Sequence, residues 1–383
     1  MLKQILSGVM AAAMCCMLAV CVPKQTEVLE NKGQFSTLTV AVRSGEQNNF
    51  QNVVTKFENE NPDIKIKLTE LGSDLEQYRL VTAAFSSEEY LFDIVEIEDV
   101  WVDDFVDKGY IVPLTKTISE SDGYIPIVRE SFIRDEKLYA MPFQMDLGML
   151  FSLKKFEWNG DFASLVQNTV QENEQLRAIN SEREEVLCGL MELIEYSGGD
   201  IQRALGLYRD IYHGKGNERL GIEEFRKKEV PVMRSWASVL PLLRSETSGV
   251  AGEFNAHNMP KNDEGDEIST AKLYALAVSK LSDKKEACER FIEYCCKNEA
   301  QIDLIKKTGT YPIKPELYDN PSINSQWTHI TVMKDRVEEV QLRPHMTGYM
   351  EKANNLQTCL SEYMNGQLDA ETAEARVREF LGK

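Results

Sequence analysis

The sequence contains little of the side-chain chemistry on which most enzymes depend. Its 383 residues include only four histidines, and no two of them have the HExxH spacing or another short spacing that is typical of zinc ligands. No G-x-S-x-G motif is present, and no cysteine has the sequence context of a papain-like or caspase-like nucleophile. The glycines at positions 214, 216 and 221 form neither a GxGxxG nor a P-loop motif. We therefore expect no metal, no cofactor and no covalent catalysis.

Basic residues are also in short supply. The sequence has 43 lysines and arginines and 62 aspartates and glutamates, which gives a formal net charge of −19 at pH 7. Because such a charge repels phosphate backbones, nucleic acid is disfavoured as a partner. The many carboxylates leave an exported glycosidase with two catalytic carboxylates open as an alternative. The chain is longer than one hydrophobic core usually allows, so we expect two lobes.

Long hydrophobic runs are absent beyond the N-terminus. The apolar run over residues 9–20 is shorter than the ~20 residues that a bilayer crossing needs. Residues 1–21 are therefore predicted to be a signal peptide, and residues 22–36 a polar tether to the folded body. The letters LAVC that end at Cys21 resemble a bacterial lipobox, in which the cysteine is lipidated. The alternative is a plain signal peptide in which Cys21 has no role.

Five cysteines remain after position 21, and none of them forms a CxxC pair. An odd number of cysteines in an exported chain argues against a complete disulfide framework. Cys288, Cys295 and Cys296 fall in a helical pattern, which predicts that they are buried free thiols. We expect these residues to contribute packing.

Hydrophobic periodicity near the start of the body predicts a parallel sheet. Apolar residues alternate over residues 38–42 and again over residues 64–68, and a helical pattern covers residues 50–57 between them. Strand, helix and strand in that order imply a right-handed crossover between parallel strands. Ligands of such sheets bind beyond the carboxyl ends of the strands, where residues 44–46 and 98–101 lie.

Two further segments carry structural predictions. Residues 138–151, LYAMPFQMDLGMLF, are apolar and β-prone, which predicts a strand that crosses between the lobes. Farther upstream, Asp99, Asp103 and Asp107 recur at i, i+4 and i+8. Because like charges on one helix face repel each other, Asp103 and Asp107 are predicted to face solvent.

Aromatic and charged residues recur where the predicted elements end. They are Asp99 with Trp101, Phe143 with Asp146, Arg234 with Trp236, Tyr274, and Arg343. A carbohydrate needs this mixture, because its ring faces pack on aromatic rings while its hydroxyls bond to carboxylates and guanidinium groups. For each aromatic residue taken alone, packing in the core is the alternative.

Several segments together resemble one protein family. The stretches DVWVDDFVDKGYIVPL at 99–114 and KLYAMPFQMDLGMLF at 137–151 are similar to segments of the extracellular solute-binding proteins of bacterial ABC importers. FRKKEVPVMRSW at 225–236 and ALAVSKLSDKKEACERFIEYCCKNEAQ at 275–301 continue the match. The resemblance covers nearly the whole chain from residue 37, and it is to the sugar-binding cluster that includes trehalose- and maltose-binding proteins.

The resemblance implies an α/β, two-lobed, periplasmic-binding-protein-like fold of type II, in which a multi-strand hinge joins the lobes and the ligand cleft lies between them. One lobe is expected to comprise residues 37–146 and 272–322, and the other residues 147–271 and 323–383. The resemblance also implies ligand contacts from Glu46, Arg79, Asp99, Asp146, Trp236, Tyr274 and Arg343. In these roles the aspartates would accept hydrogen bonds from sugar hydroxyls, the arginines would donate, and the two aromatic rings would stack on the sugar.

The function that the resemblance implies is that of an extracytoplasmic receptor. It would bind a carbohydrate, expected to be an oligosaccharide, and deliver it to the permease subunits of an ABC importer by hinge closure. We expect a monomer that Cys21 anchors to the outer face of the cell membrane, or alternatively a secreted or periplasmic protein. Two positions depart from the family pattern, because Lys272-Leu273-Tyr274 replaces its GGW and Gln144 replaces an aromatic residue.

Three alternatives stay open from the sequence. The first is the exported glycosidase. The second is a solute receptor on the same fold for a peptide or a polyamine, and a polyamine receptor would use carboxylates without a guanidinium partner. The third is a lipoprotein with a purely structural role, which would show no rise in melting temperature with any ligand.

Overall fold

The structure, a computed structural model, describes residues 35–115, 123–156, 183–211, 218–262, 264–266 and 268–382. The predicted signal peptide with Cys21 lies outside the described residues, and so does the predicted tether up to residue 34. All the elements below belong to the unit that starts at Ser36. None of the described helices is both long and apolar enough to cross a membrane.

The described strands form one large sheet and one small hairpin. The strands are β1 (Ser36–Val42), β2 (Ile64–Glu70), β3 (Ile94–Glu98), β4 (Ile111–Val112), β5 (Ile133–Arg134), β6 (Lys137–Leu138), β7 (Ala140–Leu153), β8 (Val232–Trp236), β9 (Phe254–Asn258), β10 (Thr270–Ser279) and β11 (Gln341–Leu342). The order in the large sheet is β2-β1-β3-β10-β7-β8, with β4 and β11 paired to β10 and with β9 paired to β7. β5 and β6 form the hairpin.

Helices cover the sheet and extend beyond it. They are α1 (Glu46–Glu60), α2 (Asp74–Ser86), α3 (Val102–Asp107), α4 (Pro126–Glu130), α5 (Arg183–Tyr196), α6 (Ile201–Ile211), α7 (Glu218–Arg226), α8 (Leu240–Arg244), α9 (Lys285–Cys295), α10 (Asn298–Thr308), α11 (Pro321–Asn324), α12 (Thr328–Met333), α13 (Tyr349–Met364) and α14 (Ala370–Leu381). Helix α1 buries Phe50, Val53, Val54 and Phe57, which share one face. Phe57 meets Phe291 of α9 edge to face, with 5.1 Å between the ring centroids.

The beginning of the sheet is parallel, as the periodicity predicts. β1 pairs with β2 over its whole length and also with β3, in both cases parallel. Helices α1 and α2 connect these strands. Gly45 directly precedes α1 with a φ of +89°, a conformation that glycine adopts without steric cost. The predicted strand-helix-strand unit is therefore confirmed, and it places residues 43–46 at the carboxyl end of β1.

Two long strands, β7 and β10, link two groups of shorter strands. The first part of β7, up to Leu147, pairs with β10, and the part from Gly148 onward pairs with β8 and β9. Strand β10 pairs with β3 through residues 274–278 and with β11 through residues 270–271. The crossing strand predicted over residues 138–151 is thus confirmed, whereas the lobe boundaries stay a prediction.

A register shift lies between these two long strands. Tyr274 lies opposite Gln144, but Ala275 lies opposite Pro142, so one residue of β7 is unmatched. Proline has no N–H to give to the ladder, and such a position is where a bulge costs least. The shift leaves Gln144 and Asp146 in register with Tyr274 and Lys272, and these four residues belong to the site described below.

The cysteines within the described residues are all buried and free. They are Cys188, Cys288, Cys295, Cys296 and Cys359. Burial raises the pKa of the Cys288 thiol to about 12, so it stays protonated and packs as an apolar group. The prediction of buried free thiols is confirmed.

Candidate ligand-binding site

The sheet register brings three of the predicted site residues onto one face. Residues that lie directly opposite each other in antiparallel strands point to the same side of the sheet. Tyr274 lies opposite Glu98 on β3, Asp146 lies opposite Lys272 on β10, and Trp236 lies opposite Gly148 on β7. Alternation along β7 and β10 therefore puts Asp146, Tyr274 and Trp236 on the same face, where the two long strands change partners.

Arg43 occupies the centre of this face, at the end of β1. Its guanidinium lies over the Tyr274 ring, 3.5 Å from the ring centroid. The Nη2 group donates to Glu46 Oε1 at 2.8 Å and to Gln144 Oε1 at 2.6 Å. The Nη1 group forms a buried ion pair with Glu96. Arg43 thus joins residues from β1, α1, β3, β7 and β10 into one polar cluster.

Asp146 is buried beside this cluster with few donors. It is 4% exposed, and its carboxylate accepts hydrogen bonds from the Leu147 N–H at 3.0 Å and from the Ser238 N–H at 3.3 Å. Burial raises the pKa of Asp146 to about 6, although Arg43 and Lys272 act in the opposite direction. The nearby donors and cations therefore do not fully offset the cost of burying the negative charge of Asp146.

Two cationic side chains lie close to the Trp236 ring, Arg234 of the same strand β8 and Lys272 of β10. Arg234 Cζ is 4.3 Å from the Trp236 ring centroid, and Lys272 Nζ is 4.6 Å from it. Arg234 is fully buried and pairs with Glu192 of α5 at 2.5 Å. The absence of a side chain at Gly148 makes room for this pair, because a Cβ there would lie 2.5 Å from Glu192 Oε1.

A second polar cluster surrounds Asp99. Arg343 is 1% exposed, and its guanidinium donates to Glu98 and Asp99 at 2.5 and 2.6 Å. The other oxygen of Asp99 is 3.0 Å from His345 Nε2, and the Leu273 N–H also bonds to Asp99. Although burial acts in the opposite direction, Arg343 and His345 hold the pKa of Asp99 at about 2.

The acidic stretch after Asp99 is largely bonded to the segment that follows β11. The Gly348 N–H donates to Asp104 at 2.9 Å, and Thr347 Oγ1 donates to Asp107 at 2.7 Å. The prediction that Asp103 faces solvent is wrong, because Asp103 forms an ion pair with Arg134 of the β5–β6 hairpin. Asp107 is exposed, as predicted.

Arg79 is the predicted site residue that the structure does not bring to either cluster. It lies on the exposed face of α2, because Gln77, Val81 and Phe85 turn the opposite face toward the sheet. Over the described ranges, no hydrogen bond or ion pair joins Arg79 to the other predicted residues. Its role as a ligand donor stays a prediction.

Sequence reasoning missed several charged members of these clusters. They are Arg43, Glu96 and Glu192. A signal for Arg43 was present, since it directly follows β1 and so lies where ligands of parallel sheets bind. Among the described residues, no group of three or more histidine, cysteine or acidic side chains could hold a metal ion.

The architecture is shared with solved structures of known proteins. MalE3 of T. maritima, solved with maltose bound, has a TM-score of 0.80 and 18% sequence identity, and the match covers 90% of this chain and 98% of that one. The GacH receptor of Streptomyces glaucescens, solved unliganded and with acarbose, has a TM-score of 0.77 and 19% identity over 91% of this chain and 99% of that one. The maltose-maltodextrin binding protein of Alicyclobacillus acidocaldarius has a TM-score of 0.75 and 14% identity over 91% and 100%.

The fold is thus the two-lobed, type II periplasmic-binding-protein fold, as the sequence predicts. Residues 43–180 also match the family model described as bacterial extracellular solute-binding protein. The resemblance to bacterial extracellular solute-binding proteins that the sequence motifs carry is therefore confirmed. The first polar cluster includes Gln144 of β7 and Tyr274 of β10, and the second contacts β10 through the Leu273 N–H.

Proposed function

We propose that the chain is the extracytoplasmic substrate-binding protein of an ABC importer, and that it binds a carbohydrate, expected to be an oligosaccharide, between its lobes. The observation that carries this proposal is the convergence of Asp146, Trp236 and Tyr274 on one face of the sheet that β7, β8 and β10 form. A mixture of carboxylate and aromatic groups suits a sugar, which offers hydroxyls and apolar ring faces. The likeness in fold to proteins solved with maltose and acarbose supports the same class of ligand.

Hinge closure would couple binding to delivery. We take the lobes to be residues 37–146 with 272–322, and residues 147–271 with 323–383. A ligand that contacts both lobes stabilises the closed form, and the permease can then distinguish loaded from empty receptor by shape. Glu46, Asp146, Trp236 and Tyr274 are almost fully buried in this conformation, so the ligand would enter when the lobes are apart.

Four of the predicted residues have the best geometry for direct contact with the ligand. Glu46 and Asp146 would accept hydrogen bonds from it, and Trp236 and Tyr274 would stack on it after their covering cations move aside. Asp99 and Arg343 are bonded to each other, and their predicted contacts with the ligand would require this pair to open. None of these roles involves covalent chemistry, so the proposal is a binding protein and not an enzyme.

The remaining parts of the proposal concern location and partners. Export by the signal peptide, lipidation at Cys21 and attachment to the outer face of the cell membrane follow from the N-terminal sequence. The partners would be the permease subunits of the importer, and the receptor would act as a monomer. Mass spectrometry of the mature N-terminus tests the lipid anchor directly.

A melting-temperature screen against mono- and oligosaccharides tests the function. A receptor should show a rise in melting temperature that grows with sugar concentration, because ligand binds only the folded state. Trp236→Ala should abolish this rise and should leave a cooperative unfolding transition. Undiminished affinity in that variant would remove Trp236 from the site. Recovery of the sugar unchanged after incubation separates a receptor from a glycosidase.

A further inference from the structure

Two buried carboxylates in the site have bonding capacity left over. Glu46 is 5% exposed, and its Oε1 accepts from Arg43, but its Oε2 is buried without a hydrogen-bond partner among the described residues. Asp146 is 4% exposed and bonds to Ser238 and to the Leu147 N–H, while no cation forms an ion pair with it in the described part of the chain. Buried carboxylate oxygens normally have partners, so these two call for an additional donor.

The two carboxylates belong to one site. Arg43 Nη2 bonds at once to Glu46 Oε1 and to Gln144 Oε1. Gln144 precedes Asp146 by two residues on β7, so both side chains point to the same face of the sheet. Arg43 also acts on the charge of Asp146. A single ligand beside Arg43, between the end of β1 and the middle of β7, could therefore meet both carboxylates.

Among the residues that the structure describes, carboxylates outnumber permanent cations around this position. The carboxylates on the central strands, and those bonded to them, are Glu46, Glu96, Glu98, Asp99, Asp146 and Glu192. The permanent cations are Arg43, Arg234, Lys272 and Arg343. His345, beside Asp99, adds a charge only when it is protonated. Uncompensated buried charge is costly, so a cationic ligand group gains more here than a neutral one.

The aromatic rings of the site already carry cations from the protein. Arg43 covers Tyr274, and Arg234 and Lys272 both lie within cation–π distance of Trp236. In this conformation the rings are therefore covered, and the groups that can still bind a ligand are carboxylate oxygens. These oxygens can accept hydrogen bonds and can pair with a cation. An ammonium group supplies three donors and a charge, whereas a hydroxyl supplies one donor and no charge.

We propose that the ligand is an amino sugar, and that Glu46 and Asp146 recognise its protonated amine. This inference rests on the proposed function and names the substrate class of the same site. A cationic ligand would be held by carboxylates without a guanidinium partner, and neither predicted arginine is available to the ligand. Arg79 lies on an exposed helix face, and Arg343 is bonded to two carboxylates. The same charge excess would reject uronic acids and sugar phosphates.

Matched sugar pairs test the inference. Isothermal titration of the full chain near neutral pH would compare glucose with glucosamine, and cellobiose with the β-1,4-linked glucosamine dimer. In each pair, an amine replaces the hydroxyl at C2 of every sugar ring. We expect the amino member to bind at least about tenfold more tightly, in line with a charge-assisted hydrogen bond in place of a neutral one. The N-acetylated dimer, which keeps the nitrogen but loses the charge, should lose this advantage.

Variants connect the preference to the two carboxylates. Glu46→Gln should remove most of the amine preference, measured as the ratio of the affinities for the amino sugar and for the neutral sugar. Glu60→Gln removes the same charge from the exposed end of the same helix, and it should keep the preference. Asp146→Asn gives an independent second reading if Glu46→Gln unfolds in a melting experiment.

The possible results separate the inference from the proposed function. Tighter binding of the amino sugars, lost in Glu46→Gln or Asp146→Asn but kept in Glu60→Gln, supports the inference. Neutral sugars that bind as tightly as their amino counterparts overturn it and leave the proposed function intact. If no sugar of either kind binds, the proposed function fails together with the inference.

Discussion

Asp99, directly after β3, and Asp146, on β7, are both buried aspartates. The sequence predicts the same role for both, yet their surroundings differ. Both oxygens of Asp99 have partners, which are Arg343, His345 and a backbone N–H. Asp146 has the Leu147 N–H and Ser238, and the Ser238 N–H is at the long distance of 3.3 Å. The pKa of Asp99 is held at about 2, whereas burial raises that of Asp146 to about 6.

The difference separates a carboxylate that the fold uses from one that is available to a ligand. A charge pair in which every oxygen has a partner fixes the positions of the elements that it joins. Such a carboxylate has no oxygen available to accept a hydrogen bond from a ligand. A carboxylate with few donors costs stability in the empty protein, and such a cost is tolerated where a ligand supplies the missing donors. The predictions below test this distinction, from the largest expected effect to the smallest.

The largest effect is expected from Arg343→Met. The change would leave Glu98 and Asp99 buried without their guanidinium partner, and breaking a buried pair typically costs about 3–5 kcal/mol. Urea unfolding measures the loss. Arg79→Ala, on the exposed face of α2, is the control and should stay within about 0.5 kcal/mol of the wild type. A loss below about 1 kcal/mol in Arg343→Met would show that the Asp99 cluster does not hold the fold together.

The two aspartates should also give different pH dependences. The folded-state pKa of Asp146 is about 6, above its ordinary value, so the folded protein holds the proton more tightly. Stability from this group is therefore present below its ordinary pKa and is lost as the pH rises through about 6. Relative to Asp146→Asn, the free energy of unfolding of the wild type should fall by about 2–3 kcal/mol between about pH 4 and about pH 7.

Asp99→Asn is the matched comparison for that measurement. The folded-state pKa of Asp99 is about 2, below its ordinary value, so its contribution is fully present above the ordinary value and is lost only as the pH falls toward 2. The stability difference between the wild type and Asp99→Asn should therefore be constant over the window in which that of Asp146→Asn changes. Parallel curves for the two variants would contradict the distinction.

The buried charge pair between Arg234 and Glu192 extends the comparison. In Gly148→Ala the new Cβ would lie 2.5 Å from Glu192 Oε1 and 2.9 Å from Arg234 Cζ, so the pair would have to shift. We expect a loss of about 2 kcal/mol in thermal or urea unfolding. Gly206→Ala, in helix α6 with open space at the Cβ position, should instead be neutral or slightly stabilising. Equal effects of the two changes would mean that the Arg234–Glu192 pair adapts freely.

The smallest effect is expected at the exposed end of the acidic stretch. Thr347→Val removes the hydrogen bond to Asp107, which is exposed to solvent. Water can replace the lost donor, so the change should cost about 0.5 kcal/mol or less by urea unfolding. A loss of stability as large as that of Arg343→Met would contradict this expectation. It would show that the Thr347–Asp107 hydrogen bond is essential for the stability of the fold.

Local patterns predicted much of the fold. The parallel β1–β2 pair follows from period-two alternation around a helical stretch, and the crossing strand β7 follows from a run of apolar residues with Gly148 inside it. The same periodicity could have predicted that Arg79 lies on the exposed face of α2, because Gln77, Val81 and Phe85 mark the buried side at helical spacing.

The partners of the charged residues could not be predicted in this way. Arg343 and Asp99 are 244 residues apart in sequence, and no local pattern indicates that Asp99 pairs with Arg343 or that Asp103 pairs with Arg134. Whether a carboxylate is saturated depends on such long-range neighbours. The sequence therefore identified Asp99 and Asp146 as equivalent acceptors, and only the three-dimensional arrangement separates them.

The most direct test is isothermal titration of wild type and Asp146→Asn with the sugar that raises the melting temperature most in the panel. The account predicts that Asp146→Asn folds cooperatively and binds that sugar at least about 100-fold more weakly, since a buried acceptor for the ligand is lost. Affinity equal to that of the wild type would contradict the placement of the ligand on this face of the sheet.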